Sequence, residues 1–201
     1  MTDLTVLAVA ARAGDAELGM GMRLRWYADR GAAVHVHCLA GEPDADWRAA
    51  IVHLGLEDYT FSGVTRGFAG HRGLINAELF RVVPQLRPDV VYGVFPGDHD
   101  PDRRIAGDET EVVALREARD IRSFRCGPSD GFRPTLFFLG DDELMEARRT
   151  ALTALGRGAD EELARLAYRE HVHHRVIERM AAQNAFAEMF TVSRAIEGRR
   201  R

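Results

Sequence analysis

Apolar runs of strand length alternate with helix-length segments along most of this chain, and that alternation constrains its fold more than any other feature. "LTVLAVA" (4–10) reads as a buried strand. A helix follows over 15–30, with Leu18, Met22, Trp26 and Tyr27 near helical spacing and Gly31 as its stop. "AVHVHCLA" (33–40) is a second strand. Asp44 caps a helix through Trp47, Ile51 and Leu54 that ends before Gly55. "DYTFSG" (58–63) reads as a short strand, 73–86 as a helix, and "RPDVVYGVF" (87–95) as a strong strand. A polar loop leads to a helix over 104–119, and "RPTLFFLG" (133–140) is a further strand. The remainder, 141–194, reads as two helices parted near "GRGAD" (156–160) and packed on the rest of one domain spanning 1–201. This order predicts an α/β fold, a Rossmann-like three-layer sandwich around a mostly parallel sheet.

In such sheets ligands sit beyond the carboxyl ends of the strands, where the strand order reverses. The loop after the first strand (11–16) and the loop after "VVYGVF" (96–103) are therefore the expected walls of a site, and both are rich in charge. Several chemistries are excluded by what the chain lacks. All 27 basic side chains are arginine, so there is no lysine for a Schiff base, a lysine base or a phosphate-binding P-loop. The four serines (Ser62, Ser123, Ser129, Ser193) lie outside any Gly-x-Ser-x-Gly elbow. A net charge of −4 argues against nucleic acid as a partner. No apolar run approaches the ~18 residues of a membrane span. The absence of a basic, cleavable leader and two distant cysteines, Cys38 and Cys126, lead us to expect a cytoplasmic protein with reduced thiols.

At the two charged loops the chain resembles the LmbE/PIG-L family of zinc-dependent N-deacetylases, which act largely on N-acetylglucosamine-type substrates. The family's first strand ends in Ala-His-Pro-Asp-Asp-x-Glu; the same place here reads Ala11, Arg12, Ala13, Gly14, Asp15, Ala16, Glu17, followed by "LGMGMRL". The family's second motif, His-Pro-Asp-His, corresponds to Asp100, Pro101, Asp102, Arg103. "YADRGAAVHVHCLAGE", "LRPDVVYGV" and "AFAEMF" also look like family sequence, and the resemblance runs over about 4–190.

The resemblance implies a site that has lost its chemistry. Arg12 replaces the first zinc ligand, Gly14 the general base, Asp100 the histidine that assists the oxyanion or leaving group, and Arg103 the last zinc ligand; Asp15 alone keeps a ligand position. A catalytic zinc needs three protein lone-pair donors and an open position. Arginine offers no lone pair and stays protonated. A dication ~4 Å from one such charge meets roughly 8 kcal/mol of repulsion at an effective dielectric near 20. We therefore expect no zinc and no other cofactor. General acid–base assistance, typically worth ~10²–10⁴ in rate, goes with the base.

Two readings of the replacements stay open at this stage. Arg12 and Arg103 can enclose Asp15 in a salt-bridge cluster that joins the loops. Alternatively Arg12, Asp15, Glu17, His99, Asp100, Arg103 and Arg104 form a pocket for an anionic or sugar-like ligand, with Asp15 and Asp100 as the only candidates for residual catalysis. A substitute metal site built from Asp15 with Asp98 or His99 would make the chain an amide hydrolase after all. A small molecule or a protein partner fits these readings, and homo-oligomerisation is left open. Asp102 reads as the cap of the following helix. Glu170, His174 and Glu178 share a helical face but lack a His-Glu-x-x-His pattern. His35 and His37 alternate on one strand face and read as structural, while Gly19 and Gly21 allow close packing of the first helix on the sheet.

Overall fold

A computed structural model describes residues 4–41, 47–158 and 186–196. Seven strands form one sheet in the order β3-β2-β1-β4-β5-β7-β6. They are β1 (Thr5–Ala10), β2 (Ala33–Ala40), β3 (Asp58–Val64), β4 (Val90–Val94), β5 (Asp120–Phe124), β6 (Leu136–Gly140) and β7 (Phe186–Ala195). The first five are mutually parallel, and β7 runs antiparallel between β5 and β6. Among the described residues five α-helices accompany them: α1 (Asp15–Ala28), α2 (Trp47–Leu54), α3 (Arg72–Leu86), α4 (Pro101–Glu117) and α5 (Asp142–Ala154). The predicted α/β class, with a mostly parallel sheet and helices on both faces, is the observed one.

The period of two along β1 divides the core. Val6, Ala8 and Ala10 face one apolar layer, which holds residues of α1, α2 and α5. Leu7, Val9 and Ala11 face the other, under α3 and α4. Because β1 is buried on both faces, its sequence is continuously apolar rather than alternating. Gly19 allows close packing on the sheet as expected, since a Cβ there would fall 2.3 Å from the Phe124 ring of β5; Gly21 instead faces a helix, where a Cβ would fall 2.7 Å from the Arg148 stem of α5.

Two expectations are corrected here. The helix after β4 starts at Pro101 and ends at Glu117, and residues 120–124 form the unanticipated strand β5. Residues 186–195 form a central strand and not the end of a helix. The alanine, glutamate and methionine of "AFAEMF" favour helix, but pairing with a strand on each side outweighs that preference. The second helix expected within 141–194 falls mostly on residues outside the described set, as do Asp44, Glu170, His174 and Glu178.

α1 is broken at Met20, whose dihedrals (φ −153°, ψ 23°) leave the helical region. The break frees backbone groups in the interior, and side chains from two other elements satisfy them. Glu188 of β7 accepts from the amides of Met22 and Arg23 at 2.8 Å each. Arg148 of α5 donates to the Leu18 carbonyl at 2.7 Å and stands 3.8 Å from the Glu188 carboxylate. Glu188 thus caps the second half of the helix while Arg148 caps the first. Burial pushes the Glu188 carboxyl up to about 7, against the pull of Arg148 and the two amides.

Candidate functional site

The strand order reverses at β1 and β4, so the loops after these strands share one end of the sheet. The first loop turns sharply at Gly14, which has φ +87° and serves as the N-cap of α1 without a side-chain bond. Asp15 is thereby set at the first position of α1, fully buried, where helix N-terminal amides favour an anion. Its Oδ2 accepts from the Arg12 amide at 3.1 Å.

The second loop ends in a cap. Asp100 accepts from the amides of Asp102 (2.9 Å) and Arg103 (3.2 Å), and Pro101 follows at the first turn of α4. Asp100, not Asp102, is therefore the N-cap. The reason is a competing use of Asp102, whose carboxylate accepts from the amides of Gly67 (3.0 Å) and Phe68 (2.7 Å). It fixes the segment after β3 against the start of α4.

The two loops meet through opposite charges. Arg103 donates from Nη2 to Asp15 Oδ1 at 2.6 Å and from Nε at 3.2 Å. Arg12 pairs with Asp100. A third arginine joins from the turn after α5: Arg157 Nη1 donates to Asp15 Oδ1 at 3.1 Å and to the Ala13 carbonyl at 3.0 Å. Asp15 is thus held by Arg103, Arg157 and a backbone amide. Burial works against the Asp100 carboxyl, but the Arg103 amide and the Arg12 guanidinium outweigh it and hold the group below the usual carboxylate range.

Arg157 occupies the space that a side chain at Gly14 would need. A Cβ built on Gly14 would lie 2.8 Å from Arg157 Cδ and 3.0 Å from its Nη1. Gly14 is thus both positive in φ and pressed against an arginine.

Above this cluster opens a cavity of about 400 Å³. Arg12, Arg66, Arg103 and Arg157 line it together with Phe61 and Leu155. Of the residues named from sequence, Arg12 and Arg103 reach the cavity, Asp15 and Asp100 hold those two arginines, and Glu17, His99 and Arg104 stand apart from the lining. His99 points to Asp130, 3.0 Å away, and Arg104 is exposed on α4. Asp98 is buried, accepts from the Asp100 amide at 2.9 Å, and has its carboxyl pushed up by burial. Among the described residues no three His, Cys, Asp or Glu side chains are grouped to hold a metal ion.

Arg66 and Arg157 are the cavity arginines that the sequence reading did not name as site residues. Arg66 lies in a connection with no periodicity to place it. Arg157 follows Gly156, whose φ of +68° turns the chain back beneath α1 after α5. An arginine flanked by glycines at 156–158 was the available signal, since such a turn returns to the domain it has just left.

Glu17 lies within α1 beneath the cluster, fully buried, and neither carboxyl oxygen has a hydrogen-bond partner among the described residues. Burial pushes this carboxyl from 4.5 up to about 7, against smaller pulls from its own amide and from Tyr59. The folded state therefore holds a proton on Glu17 through a pH window where the unfolded chain has released it. Stability contributed by this group is highest below about 4.5 and falls as pH rises to about 7. A shift of that size corresponds to roughly 3 kcal/mol. Glu17→Gln is expected to flatten this part of the stability–pH curve, measured by urea unfolding between pH 4.5 and 8 against the parent chain.

His37 takes a structural place in the sheet. His37 is buried between the Thr60 hydroxyl (2.7 Å from Nδ1) and the Ser62 hydroxyl (2.8 Å from Nε2), and burial lowers it to about 4. Cys38 and Cys126 are buried free thiols. No described helix is long and apolar enough to cross a membrane.

No protein-family model and no curated protein sequence matches the chain. Solved structures do. The 4-carboxy-2-hydroxymuconate hydratase GalB from Pseudomonas putida superposes with a TM-score of 0.75 at 17% identity, over 98% of this chain and 99% of its own. The conserved protein TT1542 from Thermus thermophilus gives 0.71 at 19% identity, over 98% and 97%. The N,N'-diacetylchitobiose deacetylase from Pyrococcus horikoshii gives 0.68 at 15% identity, over 94% and 83%. At these identities the likeness is one of fold, and the fold is that of the LmbE/PIG-L-type deacetylase structures.

Proposed function

We propose that this chain descends from the zinc deacetylases but has exchanged its catalytic metal for an arginine–aspartate lock, and that its cleft binds a small anionic ligand without hydrolysing amides. The observation that carries this reading is the environment of Asp15. A zinc-ligating carboxylate needs a free lone pair directed at the ion; this one is engaged by Arg103, Arg157 and the Arg12 amide. The donor set does not fit the metal either, because the neighbouring groups are guanidinium ions and a capping carboxylate. Four arginines around the cavity favour an anion over a neutral amide. The fold itself does not dictate amide hydrolysis, since GalB is a hydratase whose named substrate carries a carboxyl group.

Restoration tests the reading. Arg12→His, Gly14→Asp, Asp100→His and Arg103→His rebuild the deacetylase residues. These four changes alone are expected to give neither zinc binding nor amide turnover, because Arg157 still pairs with the Asp15 carboxylate and still fills the position of the Gly14 side chain. Gly14→Asp alone is expected to cost about 1–3 kcal/mol through its left-handed backbone. Adding Arg157→Ala removes the obstruction, and the five-fold variant is the one expected to bind zinc. Hydrolysis of N-acetylglucosamine by the parent chain above the buffer rate would contradict the proposal.

A further inference from the structure

We infer that the cleft takes an oxyanion, carboxylate or phosphate, attached to a flat apolar ring. This rests on the zinc-free reading of the same cavity and adds the kind of molecule that fits it.

The four arginines do not play one role. Arg103 is nearly buried and spends Nε and Nη2 on Asp15, so it is part of the wall. Arg157 likewise braces Asp15 and the Ala13 carbonyl. Arg12 is more open, with 27% of its side chain exposed, and pairs with Asp100 from one side. Arg66 is exposed and makes no hydrogen bond or ion pair with any described residue. Asp15 and Asp100 are each committed to arginines, which leaves Arg66 as positive charge without a counterion among the described residues at the mouth. Arg66 is also held near the site, because Asp102 of α4 fixes the two amides that follow it, those of Gly67 and Phe68. An exposed arginine on an anchored segment, lining the same cavity as a half-open arginine, is suited to an oxyanion with two or more acceptor atoms.

The rest of the wall is apolar. Phe61 stacks on Tyr59 with centroids 5.2 Å apart and meets Trp47 edge-on at 5.9 Å, so its ring is fixed from behind. Leu155 lies on the same cavity. A flat apolar ring would remove more apolar surface from water against these carbons than a hydroxylated sugar ring. The volume, about 400 Å³, suits a single ring with its acid group.

The test is calorimetric titration of the full chain with phenyl phosphate, benzoate, inorganic phosphate and N-acetylglucosamine, together with the zinc content of the same preparation. At least one aryl anion is expected to bind about ten-fold or more tightly than both inorganic phosphate and the sugar, and which one does identifies the acid group. Arg66→Ala is expected to weaken that aryl anion by about ten-fold while leaving the melting temperature unchanged, since the residue is exposed and pairs with no described residue. Phe61→Ala is expected to weaken the aryl anion but not inorganic phosphate. Inorganic phosphate binding as tightly as the aryl anions, the sugar binding most tightly, or Arg66→Ala having no effect would each overturn the inference. Zinc-free protein that ignores both aryl anions overturns this inference alone, whereas one zinc per chain overturns the reading beneath it.

Discussion

Arg103→Met is expected to destabilise the protein by about 3–5 kcal/mol, the usual cost of removing one partner from a buried ion pair. Asp15 is fully buried and receives two of its hydrogen bonds from Arg103. Without them the carboxylate keeps Arg157 and one amide, and the repulsive field of buried Asp98 is no longer offset by Arg103. For a chain of this length the loss amounts to a fall in Tm of roughly ten degrees or more. Urea unfolding of the single variant and of Asp15→Asn/Arg103→Met separates the pair from general packing. The double variant is expected to be the more stable of the two, since the fully buried carboxylate is no longer left short of its main partner. Were Arg103 only a solvated helix residue, the single change would fall within about 0.5 kcal/mol of the parent.

The second large effect lies away from the cleft. Glu188→Ala removes the carboxylate that accepts from Met22 and Arg23 where α1 is broken, and leaves Arg148 buried beside the gap. Two amides lose their acceptor and a cation loses its counter-charge, so a loss of about 3–5 kcal/mol is expected. Glu188→Gln keeps an acceptor for one of the two amides and removes a carboxyl that burial makes costly to ionise, so it is expected to cost less at pH 8 than at pH 4.5. Chemical unfolding at both pH values distinguishes this from a simple cavity, for which the two pH values would give equal losses.

The same two clusters explain what could and could not be read from the sequence. The parallel frame was legible because β1, β2 and β4 are apolar runs with a helix-length segment after each, and their ends bring 11–16 and 96–103 together without any further information. Arg12, Asp15, Asp100 and Arg103 followed from that convergence together with the replaced motifs. β5 was hidden because Arg122 and Asp120 make its five residues look like a loop; in the sheet they bond to each other and Arg122 reaches the Tyr92 hydroxyl at 2.9 Å. β7 was hidden because its residues favour helix and its identity depends on two distant partners. Arg157 could not be assigned to the site from spacing, since its place depends on how α5 packs on α1 and where Gly156 then turns the chain. Glu188 belongs to the same class: nothing local marks it as a cap for a helix 165 residues earlier.

Zinc titration of metal-stripped protein tests the central exchange of metal for arginine most directly. Calorimetry is expected to show no saturable site at the cleft, with the titration unchanged by Asp15→Asn. One zinc bound per chain with submicromolar affinity, abolished by Asp15→Asn, would contradict the exchange.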